Sequence, residues 1–250
     1  MKKVKERPKF AAHFIVSLQK MLSNKLHNTA ILVFANSPDE ELKHKPIAKD
    51  GMLFEELTQR SLSIVKQTKL PYFHITERQQ QGNSFGERFV NAVQLVFDHG
   101  FDNIITIGND TPLLKISHLV EAHRALQTQK TVLGPSADGG FYLLGIHSSQ
   151  FDPVAFKNLP WQTSILTHKL LQLPYISDHG TVHLPTLFDL DNDSDLKLLV
   201  RFTRHICLNL RKIILFLISP AKRHDLNYKL YFVKASTEQI LFNKGSPVYF

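Results

Sequence analysis

Apolar residues fall along this chain in two kinds of run, short continuous blocks and longer stretches with helical spacing. Residues 29–35, TAILVFA, form a continuous block. Strands buried on both faces, as in parallel sheets, have this character. Residues 36–50 are polar, with Pro38 and Pro46, and read as a loop. Met52 to Gln67 carries Leu53, Leu57, Ile64 and Val65 near helical spacing, and Leu70 to Ile75 is a second strand. Phe85 to Phe97 reads as a helix with Phe89, Val93 and Val96 on one side, stopped by Gly100. Asn103 to Ile107 is a third strand, broken sharply by Gly108-Asn-Asp-Thr-Pro112. A helix over Ile116 to Leu126, a strand over Thr131 to Leu133, a loop over 134–140 and a strand over Phe141 to Ile146 follow. Ser164 to Leu173 and Asp193 to Thr203 read as helices, and Phe10 to Leu22 as an amphipathic one. Strands alternating with helices predict an α/β fold with a mostly parallel central sheet and helices on both faces.

The 250 residues suffice for one generous domain, placed at 28–203, with extensions at 1–27 and 204–250. Cys207 is the only cysteine, which excludes an intrachain disulfide framework and fits a reducing, cytoplasmic setting. The basic start, Met1 to Lys9, leads into a segment broken by His13, Ser17, Gln19 and Lys20, so no signal sequence is expected. Ile206 to Ile218 is interrupted by Asn209, Arg211 and Lys212, and reads as a packed helix rather than a membrane span. A net charge of +8 raises the question of nucleic acid. The basic residues are dispersed and lack aromatic interleaving, so no nucleic-acid partner is expected. A basic balance also suits a phosphorylated small molecule.

In open α/β sheets ligands bind outside the carboxyl ends of the strands, so the chemistry belongs in the strand-end loops. Asp110, after the Asn103–Ile107 strand, presents a carboxylate beside backbone N–H groups. It can hold Mg²⁺ or Mn²⁺ on substrate phosphates, or cap the following helix. Asp138-Gly139-Gly140 either lets a ligand approach the backbone or forms a hairpin turn. The acidic run Asp189, Asp191, Asp193 and Asp195 lacks the glycine and glutamate of a calcium loop. Asp193 or Ser194 is expected to cap a helix there, leaving Asp191 for a metal. No phosphate-loop motif or G-x-S-x-G elbow is present. His74, His118 and His123 read as surface or satisfied core histidines. Trp161 can stack on a base or sugar, or anchor a loop.

In this order, the stretches ILVFANSP (31–38), QGNSFGERFVNA (81–92), IGNDTPLL (107–114), LGPSADGGFYLLG (133–145), LPWQTS (159–164) and LFDLDNDSDL (187–196) resemble a small bacterial family. Its members have a glycosyltransferase-A-like (GT-A) domain related to molybdenum-cofactor nucleotidyltransferases. They are labelled arsenosugar-biosynthesis glycosyltransferases or left without an assigned function. The resemblance spans Thr29 to Leu199. It implies a Rossmann-like nucleotide-diphospho-sugar transferase fold, with Asp110 and Asp191 as ligands of Mg²⁺ or Mn²⁺. It implies a nucleotide or nucleotide-sugar site with a small-molecule acceptor, drawing on Ala35, Lys43, Lys45, Arg88, Asn109, Gly139, Gly140 and Trp161. Asp138 is the expected catalytic group, orienting or deprotonating an acceptor hydroxyl. One loop departs from the family pattern, Lys-x-Pro-x-Pro-Gly-x-x-Lys-Thr-Arg-Leu. Here Asn36 replaces the first lysine, acids replace the second proline and the glycine, and Lys43 and Lys45 match the later basic pair only with a one-residue deletion. The expected activity is metal-dependent glycosyl transfer. The competing readings are nucleotidyl transfer and a GT-A domain that binds without catalysing.

Overall fold

The computed structural model describes residues 28–45, 47 and 51–218. The amphipathic segment expected at Phe10 to Leu22 lies outside the described residues. Six strands form one sheet, β1 (Thr29–Phe34), β2 (Tyr72–Ile75), β3 (Asn103–Ile107), β4 (Thr131–Pro135), β5 (Phe141–His147) and β6 (Thr181–His183). Their order across the sheet is β2-β1-β3-β5-β4-β6. Strand β5 runs antiparallel to β3 and β4, while the pairs β1–β2, β1–β3 and β4–β6 are parallel. The helices are α1 (Pro38–His44), α2 (Met52–Gln67), α3 (Phe85–Asp98), α4 (Ile116–Leu126), α5 (Pro153–Lys157), α6 (Leu166–Leu171), α7 (Pro174–Ser177), α8 (Asp193–Leu199) and α9 (Leu208–Ile218).

The continuous apolar character of β1 follows from burial on both sides. Ala30 and Leu32 face a core with Phe89, Val93 and Val96 of α3 and with Phe156 of α5. Ile31 and Val33 face the opposite core, with Ile64 and Val65 of α2 and Leu119, Ala122 and Leu126 of α4. Helices thus cover both faces of the sheet. A third cluster packs Leu53, Phe54 and Leu57 of α2 against Leu196 and Leu199 of α8 and Leu210 and Ile214 of α9. Each large side chain removed from water there contributes roughly 1.5–3 kcal/mol. This cluster ties α9 to the sheet domain, so the packing continues past residue 203, the boundary expected from the sequence. Among the described residues no helix is long and apolar enough to cross a membrane.

Four local expectations change. Residues 38–44, read as loop, form α1. Pro38 starts that helix, Asp39, Glu40 and Glu41 fill its first turn, and Lys43 and His44 its last, a distribution that suits the helix dipole. The helix expected over Ser164 to Leu173 is shorter, α6 at Leu166–Leu171, and a separate helix, α7, starts at Pro174 beyond it. The cap of α8 is Asn192, not Asp193 or Ser194, its side chain accepting from the amides of Ser194 and Asp195. That helix ends at Leu199, and Val200–His205 continues as a 3₁₀ turn.

Candidate functional site

The C-terminal ends of β1 and β3 lie side by side, and three loops converge on them. Strand β1 leaves through buried Ala35, whose amide donates to the Ile75 carbonyl at 3.2 Å. The β3 exit is bolted to α2. The Asn109 amide donates to Thr58 Oγ1 at 2.9 Å, and Arg60 donates to the carbonyls of Pro112 and Leu114. Asn109 is 4% exposed, so this neighbour of Asp110 positions the loop. Asp110 caps no helix, because α4 begins at Ile116 after Lys115. The acidic loop crosses beneath. Ser136 pairs with Leu187, the Leu190 amide donates to the Asp110 carbonyl at 2.9 Å, and Thr111 Oγ1 donates to Asp189 Oδ1 at 2.6 Å.

These contacts bring Asp110 and Asp191 together across 81 positions of chain, and the group between them is an ammonium. Lys45 Nζ lies 2.7 Å from Asp110 Oδ2, 2.8 Å from Asp191 Oδ1 and 3.4 Å from Glu41 Oε2. Burial opposes the Lys45 charge, but Asp110, Glu41 and Asp191 outweigh it and raise its pKa above the ordinary lysine value. Burial raises the Glu41 carboxyl, with Lys45 opposing. Burial, followed by the charge of Asp110, pushes Asp189 up to about 7, with the Thr111 hydrogen bond opposing.

Beside this centre opens a cleft of about 1090 Å³. Ala35, Lys45, Arg88, Asn109, Asp110, Asp138, Gly140, Trp161 and Asp191 all line it. Lys43 does not. It projects into solvent and pairs with Glu40 at 2.6 Å. Gly139 also stays out of the lining, packed on the backbone of Ser164. The Asp138 segment is the β4–β5 hairpin turn and a cleft edge at once. Its Oδ1 accepts from Ser136 Oγ and from the Gly140 amide at 2.9 Å. Arg88 has no ion-pair partner among the described residues, so its charge is available to the cleft.

The opposite wall is aromatic, a feature missed in the sequence. Trp161 sits 4.7 Å from Phe89 and 5.3 Å from Phe85 between ring centroids, with Phe141 at 6.0 Å. The indole N–H donates to the Phe156 carbonyl at 2.8 Å, so Trp161 is a loop anchor whose ring also faces the cleft. The phenylalanines were legible only as a helix face and a strand. Gly86 explains part of the QGNSFGER stretch, because a Cβ there would meet the Trp161 ring and the Lys157 carbonyl at 2.7 Å. Of the histidines, His118 is buried against Tyr142 and accepts from the Lys115 amide at 3.3 Å. Among the described residues, His74 Nε2 and His123 Nδ1 are buried with no hydrogen-bond partner, where surface or satisfied core histidines were expected, and burial lowers both pKa values.

Two carboxylates on one point suit a hard cation of the Mg²⁺ class. Such an ion takes one or two protein carboxylates and completes its shell with water and substrate phosphate. Asp110 and Asp191 would hold it. No group of three His, Cys, Asp or Glu forms an all-protein cage among the described residues. Acidic side chains outnumber cationic ones along the lining, so an anionic ligand needs added positive charge there.

Residues 47–163 match the model of a family described as an uncharacterized protein conserved in bacteria (DUF2064). That segment holds Asp110, Asp138 and Trp161, but neither Lys45 nor Asp191. No curated protein matches the chain. Among solved structures, it is similar to a protein from Desulfovibrio desulfuricans G20 described as a "putative nucleotide-diphospho-sugar transferase". The TM-score is 0.62 at 22% identity, over 71% of this chain and 88% of that one. A homologue of Mycobacterium tuberculosis Rv0371c from Mycobacterium sp. strain JC1 aligns with a TM-score of 0.42 at 12% identity, over 71% and 98% of the two chains. A cytidylyltransferase from Leptospira borgpetersenii serovar Hardjo-bovis aligns at 0.39 and 14%, over 77% and 94%. The α/β fold expected from the sequence, with its mixed, mostly parallel sheet, is the fold shared with the Desulfovibrio protein.

Proposed function

We propose that this protein is a metal-dependent glycosyltransferase that moves a sugar from a nucleotide-sugar donor to a small acceptor. The observation that carries the reading is the meeting of Asp110 and Asp191 on one cation position, at the mouth of a cleft with an aromatic far wall. When bound, Mg²⁺ or Mn²⁺ supplies Lewis-acid neutralisation of the leaving diphosphate. Asp110 and Asp191 would hold that ion at the donor's phosphate end. Arg88 adds a second positive group. The rings of Trp161, Phe85 and Phe89 offer an apolar face for a sugar or base. Asp138 has one oxygen held by its own turn, and Oδ2 accepts the proton of the acceptor hydroxyl. The glycosidic carbon–phosphate oxygen bond breaks as the acceptor oxygen bonds to that carbon, and nucleoside diphosphate leaves.

The test is a thermal-shift screen of nucleoside diphosphates, nucleotide sugars and nucleoside triphosphates with Mn²⁺ or Mg²⁺, on wild type and Asp110→Ala. A ligand at 100 times its Kd stabilises the fold by about 2.7 kcal/mol. At roughly 2–4 °C per kcal/mol, the shift is about 5–11 °C. A metal-dependent shift lost in Asp110→Ala supports the reading, and its absence with every nucleotide overturns it. Nucleoside diphosphate as product separates glycosyl transfer from nucleotidyl transfer, which releases pyrophosphate.

A further inference from the structure

The cation between Asp110 and Asp191 belongs to the protein itself. Lys45 stands at the C-terminal flank of α1, its side chain 14% exposed, with three carboxylates around its nitrogen. An ammonium and a divalent ion cannot share that point, and like charges in contact repel. We propose that Lys45 is a built-in competitor for the metal position, pairing Asp110 with Asp191 in the ligand-free protein and suppressing binding of the bare divalent ion.

The neighbourhood makes the competition effective. A bare ion must expel Lys45 from Asp110 and Asp191, and several described acids along the cleft are already engaged. Glu40 is held by Lys43 and His44, and Glu77 by the amide and hydroxyl of Ser37. Asp189 is occupied by Thr111. Of its three carboxylates, an ammonium leaving the pair therefore keeps only Glu41, 3.4 Å away on its own helix end. A ligand phosphate changes this, because it gives Lys45 a new anion and the metal further oxygen ligands. Lys45 is then a positioning residue that couples metal entry to phosphate entry. That last step rests on the nucleotide reading proposed above, whereas the competition itself does not.

The experiment is a Mn²⁺ titration without nucleotide, followed by the electron paramagnetic resonance of free Mn²⁺. It compares wild type, Lys45→Met and Lys45→Met/Asp110→Asn. Lys45→Met is expected to bind Mn²⁺ at least about tenfold more tightly than wild type, within the usual range of coupling between sites. The double variant should lose that gain. Equal or weaker binding by Lys45→Met overturns the proposal, as does a gain that survives Asp110→Asn. A second measurement needs no variant. The ¹⁵N signal of the held Lys45 ammonium in the wild type should persist in millimolar Mg²⁺, and its loss or shift with Mg²⁺ alone overturns the proposal. Neither measurement uses a nucleotide. A silent nucleotide screen beside a positive Mn²⁺ result would therefore remove the transferase reading and leave the competition standing.

Discussion

Gly139→Ala tests how the Asp138 turn is held against the far side of the cleft. Gly139 has φ of +95°, and a Cβ there would lie 2.1 Å from the Ser164 carbonyl oxygen and 2.6 Å from its carbon. The positive φ alone costs an alanine about 1–2 kcal/mol. The clashing atoms are backbone, so the Ser164 segment must move as a unit. That movement breaks the bonds from the Thr167 amide to the Gly139 carbonyl, 3.1 Å, and from Thr167 Oγ1 to the Gly140 carbonyl, 2.7 Å. Each is worth about 1 kcal/mol net. The combined loss is roughly 3–4 kcal/mol, or about 6–16 °C in Tm for a chain of this size. Gly100→Ala is the internal control, because Gly100 has φ of +85° with nothing within 4 Å of its Cβ position. It bears the backbone cost alone, roughly 2–8 °C. Differential scanning fluorimetry reads the difference. Trp161, the only tryptophan in the chain, reports the movement directly, and its emission should shift to the red in Gly139→Ala and not in Gly100→Ala. Equal losses of Tm in the two variants, with unchanged emission, would refute the packing of the turn on Ser164.

Three other outcomes are expected. The Asp189 carboxyl rises from an ordinary 3.8 to about 7, so between those values the folded protein holds a proton the unfolded chain has released. Stability therefore falls as pH rises through that window, by roughly a few kcal/mol. Asp189→Asn keeps an acceptor for Thr111, so its Tm should exceed wild type at pH 8 with the gap narrowing by pH 5; parallel pH profiles would contradict this. Asn192→Ala removes the cap of α8, whose oxygen accepts at 2.8 Å and 3.2 Å, and should cost about 1 kcal/mol in urea unfolding. Phe156→Ala empties a fully buried position against Phe151 and α3, and should cost about 3–5 kcal/mol, while a loss below about 1 kcal/mol would mean the core is wrongly placed.

Local patterning carried much of the architecture. The block at 29–35 had to be buried on both faces, and the helix over 52–67 followed from apolar spacing. The stop at Gly100 and the hairpin at Asp138-Gly-Gly were legible too, because positive φ and tight turns select glycine locally. Helix α1 was missed. Two prolines obscured it, although acids in its first turn and basic groups in its last were visible. Strand β6, three residues long and partly exposed, carries too little apolar signal to stand out, and takes its place by pairing with β4.

The sequence by itself determined five of the six strands, the longer helices and which loops carry carboxylates, since periodicity and turn chemistry act over a few residues. Only the tertiary structure decided that Lys45, Asp110 and Asp191 share one point, and that Lys43, two residues away, points to solvent. That meeting depends on strand order, on the Leu190–Asp110 hydrogen bond and on where α1 ends. Those contacts join parts of the chain far apart in sequence, and no local pattern encodes the distance between them.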